Sequence, residues 1–531
     1  MSTPKKLVVV VCGFACPASA WTPLLERLKA EPGWGTDEVD WMPPFELGVG
    51  RLSRVPIDRI ASVLQAKIGA RLLLHPSIEE IVLVGHSMGG LVARQAYLRA
   101  AGAIADVEPS VWAKRVRRIV LFASVNRGIR WKKIPVPIRF LHWLCRRLHI
   151  FQKLTVLDAF AGSTFLTNLR IAWIRHFVGL GEDSPREVAD PALPFVVQVL
   201  GTEDSLVSPE DSRDVLAFPG SATLPVPGAN HKDLHRLDVG KDSDEKYAVL
   251  REAFVRPPSV AARAPSGVKR VVFLLHGIRA SNVADWQDGV ARALKAQAGA
   301  EVEVVRPTYG YFTALRFALP HVRRRNIPFL QDLYAEALAT HPGATFSVLA
   351  HSNGTYILGN SLSRIPAMRF AEVALAGSVL PTTFEWPTIK GRNQATRILN
   401  ERANRDWPVA LLCNGLRGLR SSDVGTGGFE GFHGAVTMEL AYHQGDHGAA
   451  LAPANHARLA AYLLGQSPTH PDLPDNPGYF RFLSNLSRYL VPALALGVLV
   501  GLGWLLFTDH WMAAAVTVGA LYLVYIVLDT I

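Results

Sequence analysis

The sequence predicts an α/β protein: two parallel-sheet domains in tandem, followed by two transmembrane helices. Three observations carry that prediction. The stretch IVLVGHSMGGLVARQ, from Ile81, is nearly restated as FSVLAHSNGTYILGN from Phe346; each sets a serine between an apolar run and a small-residue stretch that opens a helix. Two segments rich in proline and small residues, 256–267 and 466–478, lack apolar periodicity and read as linkers. They leave blocks at 1–255 and 268–465, each alternating short β-branched runs with amphipathic stretches, the pattern of a mostly parallel sheet covered by helices. Finally, Tyr489 to Phe507 carries no charge, and after Thr508-Asp509-His510 a second apolar stretch runs from Trp511 to Leu528. Each approaches the roughly 20 residues that cross a hydrocarbon core, so 489–531 reads as a transmembrane hairpin.

At the N-terminus, two lysines precede an apolar run as in a signal peptide. The run is only about five residues, short of the ~7–15 that a signal needs, and it is rich in valine. It reads as a first buried strand, with no signal peptide. Arg481 and Arg488 flank the first apolar span, and the positive-inside tendency places both blocks on the cytoplasmic side of a membrane. With 531 residues, 49% of them hydrophobic, the chain has enough material for real cores, which excludes disorder. The four cysteines, Cys12, Cys16, Cys145 and Cys413, form neither a C-x-x-C pair nor a zinc-like spacing and read as reduced thiols of a cytosolic protein. A formal charge of +11 asks for an anionic partner. With no nucleic-acid motif present, an anionic membrane surface fits better than DNA or RNA.

In the first block, EIVLVG reads as a buried strand, HSMGG as a tight turn and LVARQAYLRA as a helix. Gly85 and Gly89 permit the sharp turn that exposes Ser87. A serine hydroxyl needs a base, and the base needs an orienting acid. Downstream, the strand PFVVQVLG empties into TEDSLVS and LPVPGANHKDL follows, so Asp204 and His231 come in the order Ser, Asp, His. Glu203 and His235 are weaker alternates. The second block repeats the plan: FSVLAHSNGTYILGN is the turn around Ser352, with Ala350 in place of the first glycine; TRILNERANRDWPV offers Asp406, and GDHGAAL offers His447. Asp423 rivals Asp406 as the acid. The trio His443, Asp446 and His447 has a metal-like spacing, but flanking glycines argue against a helical ligand pair, and no metal or cofactor is expected.

On these motifs the chain resembles the α/β-hydrolase superfamily, in its lipase and esterase branches. VVVVCGFACPASAW is similar to that family's oxyanion strand, which usually ends His-Gly and here ends Cys12-Gly13; the second block's VVFLLHGIRASNVADW supplies His276-Gly277. LFASVNRG resembles the next strand and its loop. The resemblance implies Ser87 and Ser352 as nucleophiles, His231 and His447 as general bases, and Asp204 and Asp406 as their orienting carboxylates. It also implies oxyanion donors from the backbone N–H groups of Phe14 and Met88 in the first block and of Ile278 and Asn353 in the second.

Substrate class is read from the insertion at about 129–193, where such hydrolases place a lid. IRWKKIPVPIRFLHWLCRRLHIFQKL carries seven basic residues with no acidic one before Asp158. On a helix, Leu141, Leu144, Leu148 and Phe151 would form one stripe, and Arg139, Arg146 and Lys153 would fall elsewhere. That pattern fits interfacial contact with a membrane, and equally a cap helix with solvated charges. YFTALRFALPHVRRRNIPF is a comparable basic stretch in the second block. The expected activity is therefore cleavage of lipid or other hydrophobic acyl esters. Acyl transfer, thioester or amide cleavage share the same triad, and a non-catalytic membrane-bound scaffold of this fold is the alternative from another class.

Overall fold

The computed structural model describes residues 4–50, 52–104, 106–130, 154–179, 190, 192–207, 220–238, 243–258, 267–278, 284–307, 313–434, 437–439, 442–468, 478–507, 517–519 and 522. The chain divides into two compact units, 1–265 with 331–343, and 266–330 with 344–531.

The first unit is built on strands β1 (Lys6–Val11), β2 (Val39–Trp41), β3 (Glu80–His86), β4 (Val116–Phe122), β5 (Phe195–Gly201) and β6 (Ser221–Val226). They lie in the order β2-β1-β3-β4-β5-β6, every pair parallel. The valine-rich run after Lys6 is β1, buried from Leu7 onward; β-branched residues without polar alternation suit a strand covered on both faces. Helices α1 (Thr22–Lys29), α2 (Ile57–Leu74), α3 (Met88–Ala100), α4 (Thr164–Val178) and α5 (Ser243–Val255) belong to this unit.

Helix α4 is the longest described element of the insertion. Ser163 caps its N-terminus, its hydroxyl accepting the Leu166 N–H at 3.1 Å, and Gly179 ends it in the left-handed conformation at φ 69°. It packs on α3: the buried Arg94 guanidinium sits 4.5 Å from the Trp173 ring, and Tyr97 Oη lies 2.9 Å from His176 Nε2. This stretch is an ordinary packed cap helix. The basic amphipathic segment from Trp131 to Lys153 lies outside the described residues.

The second unit repeats the plan with β7 (Arg270–Leu275), β8 (Val302–Val305), β9 (Thr345–His351), β10 (Phe370–Ala376), β11 (Ala395–Glu401) and β12 (Met438–Glu439). Their order is β12-β11-β10-β9-β7-β8, again all parallel. Counted from its own first strand, this sheet has the same order as the first. Both therefore reverse winding direction between their first and third strands, and the carboxyl ends there form the crevice where open α/β sheets place ligands. Helices α6 (Ala284–Ala298), α7 (Asn353–Arg364), α8 (His456–Leu463) and α9 (Gly478–Phe507) belong to this unit.

The start of α9 is fastened to the second unit. Asn414 Nδ2 donates to the Ser484 carbonyl at 2.8 Å, and a Cβ on Gly415 would stand 2.7 Å from Val491. Beyond Pro492, Leu494, Leu496, Val500, Trp504 and Phe507 are all exposed. Among the described residues, no helix is long and apolar enough to cross a membrane. The second apolar stretch, 511–528, lies outside the described residues except for 517–519 and 522.

Candidate active sites at the carboxyl ends of both sheets

Each serine occupies the turn between the third strand of its sheet and the following helix. Ser87 has φ 53°, ψ −121°, and Ser352 has φ 51°, ψ −121°. A positive φ in a residue with a Cβ is strained, and the surrounding packing must enforce it. The turn is clamped by close approach: a Cβ on Gly85 would stand 2.6 Å from Gly90 Cα, and one on Gly89 would stand 2.3 Å from the Cys12 carbonyl oxygen. In the second unit, a Cβ on Gly354 would stand 2.7 Å from the Leu275 oxygen. The Ser87 N–H donates to the Phe122 carbonyl at 2.9 Å, and the Ser352 N–H donates to the Ala376 carbonyl at 3.0 Å. Each turn is thus tied to the neighbouring strand.

Three separate segments bring the first constellation together. Asp204 follows β5, His231 follows β6, and Ser87 follows β3. His231 Nε2 lies 2.8 Å from Ser87 Oγ, and its Nδ1 lies 2.9 Å from Asp204 Oδ2. The Asp204 side chain is fully buried, and Oδ1 accepts the backbone N–H groups of Leu206 at 2.8 Å and Val207 at 2.9 Å. Burial by itself would raise its pKa, but the bonds from His231, Val207 and Leu206 outweigh it and hold the carboxyl below the usual range. The alternates have other places: Glu203 is exposed, and His235 stacks on Trp21 with centroids 4.4 Å apart.

In the second unit, His447 Nδ1 lies 2.9 Å from both carboxylate oxygens of the buried Asp406. The ring rests on Gly377 at the end of β10, where a Cβ would stand 2.6 Å from His447 Cε1; the φ of 52° there also favours glycine. His447 Nε2 is buried without a hydrogen-bond partner, and Ser352 is only 5% exposed. Burial disfavours the charged ring, yet the Asp406 charge and hydrogen bond prevail, and the His447 pKa is raised. The rival Asp423 accepts the Tyr356 hydroxyl at 2.8 Å and Arg324 Nη2 at 2.9 Å, and also pairs with Arg323. His443 Nε2 is 2.6 Å from Glu401, which also accepts Arg458 Nη1 at 2.5 Å. His443 is therefore engaged away from His447, and the metal-like trio does not gather as one ligand set.

The loops that follow β1 and β7 close on these serines. A Cβ on Gly277 would stand 2.7 Å from Ser352 Cβ, and one on Gly13 would stand 2.6 Å from His86 Nδ1. Phe14 and Ile278 come next after these glycines. Met88 and Asn353 are the first residues of α3 and α7, where N–H groups have no intrahelical acceptor and favour negative charge.

Two features escape the sequence reading. His86 Nε2 donates to the His231 carbonyl at 3.0 Å, and His351 Nε2 sits 3.3 Å from the His447 carbonyl. Each holds the backbone of the histidine beside its own serine. The repeated His-Ser dipeptide in the two turns was the available signal. Burial, with the His447 charge beside it, pushes the His351 pKa down to about 3. The second feature is a cluster of Cys16, His86 and His235, the histidine that precedes Ser87 among them. Cys12 donates to Cys16, which holds the Cys16 thiol low and pushes that of Cys12 up.

Each unit is thus an α/β fold on a parallel sheet, with a serine on the strained turn after the third strand and a histidine and an aspartate on later loops. Residues 8–244 match the model of the Alpha/beta hydrolase family. Among solved structures, the chain is similar to an esterase from Thermogutta terrifontis at 16% identity, covering 47% of this chain and 90% of that one with a TM-score of 0.29. It is also similar to the peroxisomal alpha-beta-hydrolase Lpx1 of Saccharomyces cerevisiae at 12% identity, covering 56% and 87% with a TM-score of 0.33. Phospholipase PlaB of Legionella pneumophila is matched at 15% identity over 37% of this chain and 39% of that one, with a TM-score of 0.25. No curated protein matches the chain.

Proposed function

We propose that the protein is a serine hydrolase of acyl esters in which Ser87 is the nucleophile, His231 the general base and then acid, and Asp204 the carboxylate that orients it. The observation that carries this reading is the continuous hydrogen-bonded path from Asp204 through His231 to Ser87 Oγ, at 2.9 and 2.8 Å. Ser87 Oγ attacks the ester carbonyl while His231 Nε2 takes its proton. The developing oxyanion is stabilised by the N–H groups of Met88 and Phe14. Collapse expels the alcohol, which takes the proton from His231. Water, deprotonated by the same nitrogen, then releases the acid and restores the serine.

Ser352, His447 and Asp406 form the corresponding set of a second hydrolase domain, with oxyanion donors at Asn353 and Ile278. The unpartnered His447 Nε2 and the low exposure of Ser352 favour a second reading for this unit, a duplicated domain kept as a scaffold. A lipid or hydrophobic acyl ester is the proposed substrate, presented at an anionic membrane surface by the basic insertion. The apolar C-terminus anchors the chain, a role supported by the charge-free sequence from Tyr489 to Phe507 and the exposed apolar residues of α9. The two units then face the cytoplasm.

Fluorophosphonate labelling of the full chain, with Ser87→Ala, Ser352→Ala and both, tests the assignment. Loss of label in Ser87→Ala is expected. Undiminished label and ester hydrolysis in the double variant would exclude both serines, and label that depends on Ser87 alone would make the second unit a scaffold.

A further inference from the structure

We infer that Cys16, His86 and His235 form a binding site for a thiophilic divalent cation of the Zn²⁺ class, placed so that its occupancy controls the Ser87 site. The three lie far apart in the sequence, on the loop after β1, at the end of β3 and after β6. They offer one sulfur and two imidazole nitrogens whose ligand atoms all lie within 4.8 Å of one another, the one such group of ligands among the described residues. A tetrahedral zinc, with about 2.3 Å to sulfur and about 2.0 Å to nitrogen, sets a sulfur–nitrogen edge of about 3.5 Å. Cys16 Sγ and His235 Nε2 stand 3.5 Å apart.

His86 supplies the second, independent observation. A carbonyl oxygen only accepts, so the bond from His86 Nε2 to the His231 carbonyl at 3.0 Å places the ring proton on Nε2. In the neutral ring, Nδ1 then carries a lone pair, and it is buried with no hydrogen-bond partner in a residue only 5% exposed. Leaving such a group unsatisfied costs about 1–3 kcal/mol. Gly13 keeps this nitrogen uncovered, since a Cβ there would stand 2.6 Å from it. The bond on the opposite nitrogen is the outer-shell contact that fixes tautomer and ring orientation in histidine metal sites. His235 is held in place by its stack on Trp21. The three ligands leave a fourth position for water or for an exogenous donor.

Occupancy would act on the neighbouring chemistry through two of the ligands. His86 precedes Ser87 and holds the backbone of His231, and Cys16 closes the turn containing Phe14, its N–H donating to the Gly13 carbonyl at 3.2 Å. Contraction of the cluster around an ion would pull on both the base and the oxyanion loop. This control rests on the proposed hydrolase reading; the binding does not.

The test uses the full chain, reduced and stripped with chelator, and titrates Co²⁺ as the spectroscopic probe. Expected is a thiolate-to-cobalt charge-transfer band that saturates at one ion per chain and is bleached by Zn²⁺. Cys16→Ser should abolish the band, and His235→Gln should weaken binding at least about tenfold, with melting curves showing that each variant folds; Cys16→Ala replaces Cys16→Ser if the latter does not. Ser87→Ala should bind Co²⁺ as the parent does, so binding is read even if no hydrolase activity exists. Zn²⁺ should suppress Ser87-dependent labelling reversibly in the parent and not in Cys16→Ser. No band in the parent, or an undiminished band without Cys16, overturns the site; equal suppression in Cys16→Ser overturns the control.

Discussion

Replacing Asp204 by Asn probes the proposed relay at the atom where its geometry is most constrained. Asp204 Oδ1 accepts two backbone N–H groups, from Leu206 and Val207, while Oδ2 faces His231 Nδ1 at 2.9 Å. An asparagine of the same shape keeps its oxygen on the two N–H groups, because its amide nitrogen cannot accept from them. That nitrogen must then face His231 Nδ1 as a donor. The imidazole responds by moving its proton to Nε2, the atom 2.8 Å from Ser87 Oγ that has to receive the serine proton. The wrong tautomer in a serine triad costs about 10⁴-fold in kcat, equivalent to about 5.5 kcal/mol of transition-state stabilisation. The assay is hydrolysis of a short soluble ester in a Ser352→Ala background, so that the second unit contributes nothing. Because both backbone bonds survive, the melting temperature should change little. A loss below tenfold in a folded variant would refute the relay through His231 and Asp204.

Ser352-dependent labelling should decline with falling pH at a value above that of an ordinary histidine: the pKa of His447 is raised, so the neutral base is lost sooner on acidification, and Asp406→Asn should move this limb downward while reducing its height. Asp423→Asn should instead destabilise the chain by about 3 kcal/mol, read by denaturant unfolding, since it strips a partner from the fully buried Arg323 side chain; a selective loss of labelling with unchanged stability would restore Asp423 as the catalytic acid. Deleting the chain beyond Gly478 should move the protein from the carbonate-resistant membrane fraction to the soluble one, and retention would place the anchor elsewhere.

Much of this architecture is written in short segments. The valine run of β1 and the strand–turn–helix pattern around Ser87 and Ser352 are local, because burial on both faces and a tight turn each demand particular residue types from consecutive positions. Chain order also placed Asp204 and His231 in loops after strands, and the structure sets His231 beside Ser87 and Asp204 beside His231. Ala350 stands where the first turn has Gly85, and the second turn still reaches the same φ and ψ.

Sequence favoured Asp406 with Asp423 as its rival, since both follow plausible segments. In the structure Asp406 lies beside His447, and Asp423 is held by Tyr356, Arg323 and Arg324. Nor does cysteine spacing reveal a ligand set when its members sit on a strand end and two loops remote in sequence. Cys16, His86 and His235 meet because β1, β3 and β6 all release their chains at the carboxyl edge of one parallel sheet, which gathers residues remote in sequence. Residue identity along the chain determined the strands, the turns and the candidate chemistry. Only the tertiary structure decided which side chains share a hydrogen bond, because that depends on where non-adjacent strands end.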